Sequence, residues 1–148
     1  MKAAFLIGRI VFGGFFLYNG INHLRQHKTM AKYAGAKHVP APDFAVQATG
    51  VGLVIGGASI LLGVKPKLGA TALIGFLAGV SPIMHDFWRQ EDPNQRMNDM
   101  INFSKNMALL GGAIALMGVE EPWPVSVPIA QPGRLERIRR IAKRAAAA

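Results

Sequence analysis

The sequence predicts an all-α fold: an integral membrane four-helix bundle with up-down-up-down topology. Three observations carry this. Four apolar runs approach the length that crosses a bilayer, and they are rich in Gly and Ala. The charged residues are gathered in blocks between those runs and in a C-terminal tail, where a soluble domain would spread them along the chain. The connections are short, so successive helices must return antiparallel.

The first span is expected over about 3–24 and is interrupted by Arg9. A cleaved signal would have an unbroken apolar centre and a small-residue cleavage site, so a retained helix fits better. Arg9 would lie about 9–10 Å from the start of the span, where it can snorkel or pair inside the bundle. A polar connection from Arg25 to Asp43 ends in Val39-Pro40-Ala41-Pro42, which stops any helix. The second span, about 44–64, holds no charged residue and measures about 31 Å, close to the hydrocarbon thickness of a bilayer. Lys65-Pro66-Lys67 turns the chain into the third span, about 68–87, which contains Pro82 and ends in His85-Asp86-Phe87-Trp88. A polar stretch from Arg89 to Asp99 leads to the fourth span, about 101–119.

Within the spans, Gly52-x-x-x-Gly56 and Gly75-x-x-x-Gly79 have the spacing that lets helix backbones approach closely. Gly is also simply common in membrane helices. Leu53–Gly63 resembles Ala108–Gly118, and each follows a helix that ends near a histidine, His23 or His85. That pattern reads either as a parallel duplication or as coincidence in Gly/Ala-rich sequence.

Residues 1–119 are therefore read as the bundle, 120–133 as a Pro-rich extended linker, and 134–148 as a basic cytoplasmic tail. In the tail, Leu135, Ile138, Ile141 and Ala142 recur at helical spacing among Arg and Lys. This suits an amphipathic helix on anionic lipid headgroups, the alternative being a solvated basic tail.

Lys and Arg outnumber Asp and Glu by 17 to 8. Because the excess lies in connections and in the tail, not on one folded surface, no nucleic-acid partner is expected. The chain has no Cys, which excludes cysteine-ligated metal or Fe–S centres and disulfide exchange within it; no metal site is expected. Basic residues count nine to six in favour of termini inside, but the count evens out when Arg140, Lys143 and Arg144, far from any span, are set aside. The N-in/C-in reading thus rests on a modest charge bias.

Antiparallel alternation sorts the polar residues by depth. The end of the first span, the end of the third and the start of the fourth share one side. Asn19, Asn22 and His23 therefore share a depth with His85, Asp86, Trp88, Lys105 and Asn106. Polar groups at membrane depth are costly and usually face the bundle interior or a cavity. The plainer alternative is interfacial capping, with Trp88 as a headgroup anchor. His27 and His38 read as solvated connection residues.

These residues also carry a resemblance. Gly8-Arg9-Ile10, Gly13, Phe16, Asn19-Gly20 and His23-Leu24 resemble the first-helix signature of the DoxX family. His85-Asp86-Phe87-Trp88 and Met100, Phe103, Lys105-Asn106, Ala108-Leu109 and Gly111-Gly112 are similar to its later signature, so the resemblance spans about residues 5–119. It implies a four-helix protein of the bacterial cytoplasmic (inner) membrane with its histidine end facing the periplasm. It also implies a place among quinone-linked redox or membrane-stress complexes.

The expected function is a subunit of a quinone-linked membrane oxidoreductase system. His23 and His85 would donate or relay protons, and Asp86 would orient the His85 imidazole. Lys105 would stabilise an anionic oxygen, Trp88 would stack on the ring, and Asn19 and Asn106 would complete the polar end. Haem b held by two histidines fits less well, because both lie near the membrane edge. A second reading is a non-catalytic anchor or assembly partner, working with other proteins or as a homo-oligomer; a small-solute transporter is the weakest of the three.

Overall fold

The computed structural model describes residues 2–127, and these contain helices and no strand. In chain order they are α1 (Lys2–Arg25), α2 (His27–Ala36), α3 (Pro42–Leu62), α4 (Pro66–Met84), a single 3-10 turn at Phe87–Arg89, and α5 (Pro93–Met117). Four segments are long and apolar enough to cross a membrane: Ala3–Arg25, Pro42–Leu62, Pro66–Arg89 and Pro93–Met117. Large apolar side chains such as Ile7, Val11, Phe44, Ile55, Leu68 and Ile114 point outward, as lipid, but not water, would favour.

Proline marks the starts of three helices: Pro42, Pro66 and Pro93 each occupy the first turn, where a missing N–H costs nothing. The sequence reads Pro42 as a helix stop and Pro66 and Pro93 as parts of turns; in the fold all three are helix starts. The last span begins at Pro93, well before Ile101. Asp92 caps it, its carboxylate accepting from the Gln95 N–H at 2.7 Å. The connection after α1 is likewise more ordered than its polarity suggests. It contains α2, which turns Ala31 and Ala34 onto Val46 of α3.

Each span packs chiefly on the next one in the chain: α1 on α3, α3 on α4 and α4 on α5. The tightest seam is α1 against α3. A Cβ at Gly57 would sit 2.5 Å from the Leu17 backbone nitrogen, and one at Gly13 would sit 2.9 Å from the Gly57 carbonyl oxygen. One seven-residue step along, a Cβ at Gly20 would lie 2.8 Å from the Gly50 carbonyl oxygen. Glycine is required at these places because the facing atoms are backbone. Only part of the expected glycine pattern takes part: Gly56 touches Leu73, whereas Gly52, Gly75 and Gly79 face open space. The two similar Gly/Ala segments fall in α3 and α5 but do not pack alike, since Gly56 meets Leu73 whereas its counterpart Gly111 is open.

One half of the bundle is filled by Phe16, Leu53, Ile60, Leu73, Leu77 and Trp123. Trp123 belongs to the stretch expected to be a linker. The described part of that stretch, 120–127, instead folds back onto the bundle end: Trp123 meets Phe5 edge-on at 5.2 Å, and the Val127 N–H donates to the Leu62 carbonyl at 2.9 Å. Arg9 holds it in place. Buried to 3 % exposure, its guanidinium donates to the Pro124 carbonyl at 2.9 Å and the Val125 carbonyl at 2.8 Å. The cation in the first span thus anchors the C-terminal segment through carbonyl oxygens at the end of the span. The rest of the expected linker, 128–133, and the basic tail, 134–148, lie outside the described residues.

Candidate functional site

The opposite half of the bundle is hollow. A cavity of about 520 Å³ lies between the spans, roofed by α2. Its wall is mostly apolar: Phe15 and Phe16 from α1, Met30 and Tyr33 from α2, Val46 and Leu53 from α3, and Phe76, Val80 and Ile83 from α4. Gly75 and Gly79 face it with no heavy atom within 4 Å of where a Cβ would stand, so these glycines leave space instead of bringing helices together.

Five of the seven sequence-predicted site residues line this cavity: Asn19 and His23 from α1, His85 after α4, and Lys105 and Asn106 from α5. Depth sorting by antiparallel alternation thus brings three segments to one hollow. Asn19 donates its amide to the Phe15 carbonyl at 2.8 Å, and Lys105 donates to Asn102 Oδ1 at 2.8 Å. The His23 ring nitrogen Nδ1 lies 2.9 Å from the Asn19 carbonyl oxygen. A carbonyl can only accept, so Nδ1 carries the hydrogen.

The other two predicted residues are placed elsewhere. Trp88 is half exposed and packs edge-on against Phe87 and Phe103, at 5.1 and 5.8 Å. It does not line the cavity, and the aromatic rings that do are Phe15, Phe16, Tyr33 and Phe76. Asp86 does not orient His85. Its Oδ1 accepts from Lys37 Nζ and, at 3.1 Å, from Gln90 Nε2.

The carboxylate that faces His85 belongs to Asp99, on the second turn of α5, which is 1 % exposed. Its Oδ1 lies 3.5 Å from His85 Nδ1, and its Oδ2 lies 3.4 Å from Lys37 Nζ. The His85 contact has the distance of a charge pair but not the alignment of a hydrogen bond, so Nδ1 is buried and unsatisfied as it stands. Lys37 bridges two carboxylates beneath α2. Its partial burial works against its charge, but the hydrogen bond to Asp86 and the charges of Asp99 and Asp86 outweigh that and raise its pKa above 10.5. Lys37 and Asp99 read from the sequence as connection residues. The available signal was helical spacing: Asp99, Phe103 and Asn106 fall at i, i+4 and i+7, one face of α5.

Chemically, the site is a slot with apolar walls and one polar end. It offers imidazole nitrogens, an ammonium and two carboxamides, and a buried carboxylate stands behind one imidazole. No group of three or more His, Cys, Asp or Glu among the described residues is arranged to hold a metal ion.

The family model described as DoxX matches residues 4–86, more than half of the chain, from the start of α1 to Asp86. The similar motif at Met100–Gly112 lies beyond that match. Comparison with curated proteins gives no match, and comparison with solved structures gives none. Four membrane-length apolar helices and a family match that runs through the first three of them lead to one conclusion: the chain belongs to the DoxX family and is a multi-pass membrane protein.

Proposed function

We propose that the cavity takes the ring of a membrane-soluble, quinone-class ligand, and that the chain is the ligand-binding membrane subunit of a quinone-linked redox system. The observation that carries this reading is the convergence of Asn19, His23, His85, Lys105 and Asn106 on one apolar hollow of about 520 Å³. A quinone ring needs flat apolar walls and polar partners for its oxygens, and pockets for such ligands combine mostly hydrophobic lining with a few placed polar groups. Phe15, Phe16 and Phe76 supply the walls. Lys105 is the one ammonium lining the cavity among the described residues, suited to an oxygen that becomes negative. The family assignment is compatible with this reading. The bacterial cytoplasmic membrane, with the histidine end periplasmic, is the setting it calls for.

The test is equilibrium binding of a short-chain benzoquinone to the protein in lipid nanodiscs, beside a Gly79→Phe variant whose side chain would occupy the slot. Saturable binding by the wild type and its loss in a folded Gly79→Phe protein support the reading. A wild type that binds neither the quinone nor its quinol, alone or with co-purified proteins, removes it. A Soret band in the purified protein would replace quinone by haem b.

A second reading, a non-catalytic assembly partner, draws on α5, where only 6 % of the apolar window is buried. It differs in tolerating His85→Ala with function intact. Transport draws least support, because the packed cluster of Phe16, Leu53, Ile60, Leu73, Leu77 and Trp123 fills the half of the bundle beyond the cavity.

A further inference from the structure

The two histidines of the cavity share an arrangement that bears on which oxidation state of ligand they recognise. In His23, Nδ1 donates to the Asn19 carbonyl at 2.9 Å, which leaves the lone pair of the neutral ring on Nε2. In His85, Nδ1 is buried and faces Asp99 Oδ1 at 3.5 Å. An ionised carboxylate only accepts, so a neutral His85 places its hydrogen on Nδ1 and its lone pair on Nε2 as well. Neither Nε2 has a hydrogen-bond partner among the described residues. Asp99 is suited to this role. It is 1 % exposed, it sits on a different helix from His85, and Lys37 at 3.4 Å offsets the cost of burying its charge.

Resting on the quinone-class reading above, we infer that His23 and His85 act as paired hydrogen-bond acceptors for ring hydroxyls. The cavity then selects the hydroxyl-bearing, quinol-type form of its ligand, with Asp99 as the positioning residue that fixes the His85 ring. A quinone carries only carbonyl oxygens and offers nothing for a neutral Nε2 to accept. A quinol offers O–H donors in their place. Lys105 and Asn106 supply the donor side, to which either form can bind. The inference concerns recognition, and no electron transfer is part of it.

The experiment compares three ligands sharing one ring and one short alkyl tail: the quinol, its dimethyl ether and the quinone. Binding is measured anaerobically in nanodiscs at pH 8. Losing a hydrogen bond to an acceptor that the bound ligand shuts off from water costs enough to weaken binding by about tenfold, so the ether is expected to bind at least that much more weakly than the quinol. In Asp99→Asn, the amide can donate to Nδ1 and move the ring hydrogen to Nε2. The preference for quinol over quinone should then shrink or invert, while Asp99→Glu should keep it. Nitrogen-15 NMR of labelled histidine should show His85 changing tautomer in Asp99→Asn and His23 unchanged, a signature that a merely structural role for Asp99 would not give.

Equal binding of quinol and ether, or an unchanged preference and an unchanged His85 tautomer in a folded Asp99→Asn protein, overturns the inference and leaves the quinone-class reading standing. Absence of binding by all three ligands to the wild type overturns both.

Discussion

Lys37 Nζ lies 3.4 Å from the carboxylate of Asp99 across a sequence separation of 62 residues, and this contact ties the end of α2 to the second turn of α5 over the cavity. The pair is completed by Asp86, so one ammonium serves two carboxylates.

Removing the ammonium should therefore cost more than removing an ordinary surface charge. Lys37→Met leaves Asp99 buried without its ammonium partner, and a loss of about 3–5 kcal/mol is expected, in the range for breaking a buried pair from one side. A Lys37→Met/Asp99→Leu double variant should recover much of that loss, because the stranded charge is gone. Thermal unfolding in a fixed detergent measures both.

The pH dependence of the same contact has a definite sign. Folding raises the pKa of Lys37, chiefly through Asp86 and Asp99 acting against its desolvation. The stabilisation it contributes is complete below the ordinary lysine value of 10.5 and declines as pH rises through the higher folded value. The stability gap between wild type and Lys37→Met should be constant from pH 7 to pH 9 and narrow only above about pH 10.5. A gap that closes between pH 7 and pH 9 would refute the pairing.

Glycines with different surroundings should respond differently. Gly57→Ala forces a Cβ to within 2.5 Å of the Leu17 backbone nitrogen, so the α1–α3 seam must open. A loss of about 1–3 kcal/mol is expected, the usual cost of overpacking. Gly52→Ala meets open space and should be neutral or stabilising by up to about 1 kcal/mol through helix propensity. Denaturation in mixed micelles gives both values.

Arg9 should control the segment that carries Trp123. Arg9→Met removes both hydrogen bonds to the Pro124 and Val125 carbonyls. In a Trp88→Phe background, Trp123 is the single tryptophan left, and its emission should shift to the red as the segment detaches. Unchanged emission would mean that packing against Phe5 suffices without Arg9.

How much of this was legible in the sequence depends on the range of the interaction. Spans and turns are local, and hydropathy, Pro42, Pro66 and Pro93 revealed them. The shared depth of His23, His85 and Lys105 followed from alternation alone. The seam glycines were visible as Gly13 and Gly20 on one helix and Gly50 and Gly57 on the other, each pair seven residues apart and so on one face. The four-residue motifs point elsewhere, since Gly75 and Gly79 face the cavity. The pairing of Lys37 with Asp99 and the return of Trp123 to Phe5 join distant parts of the chain, and no local pattern announces them. Asp86 reads from the sequence as the partner of His85 because it is adjacent; neighbouring side chains on a turn diverge, and Asp86 turns to Lys37.

The most direct measurement is photo-crosslinking. A short-chain quinone bearing a photoreactive group on its ring is irradiated with the nanodisc-embedded protein, and the modified residues are mapped by mass spectrometry. Labels confined to the cavity wall, on Phe15, Tyr33, Phe76 or Ile83, and lost in Gly79→Phe, are expected. Labels spread over the lipid-facing positions Ile7, Val11, Ile55 and Ile114, equal in both proteins, would contradict a ligand site inside the bundle.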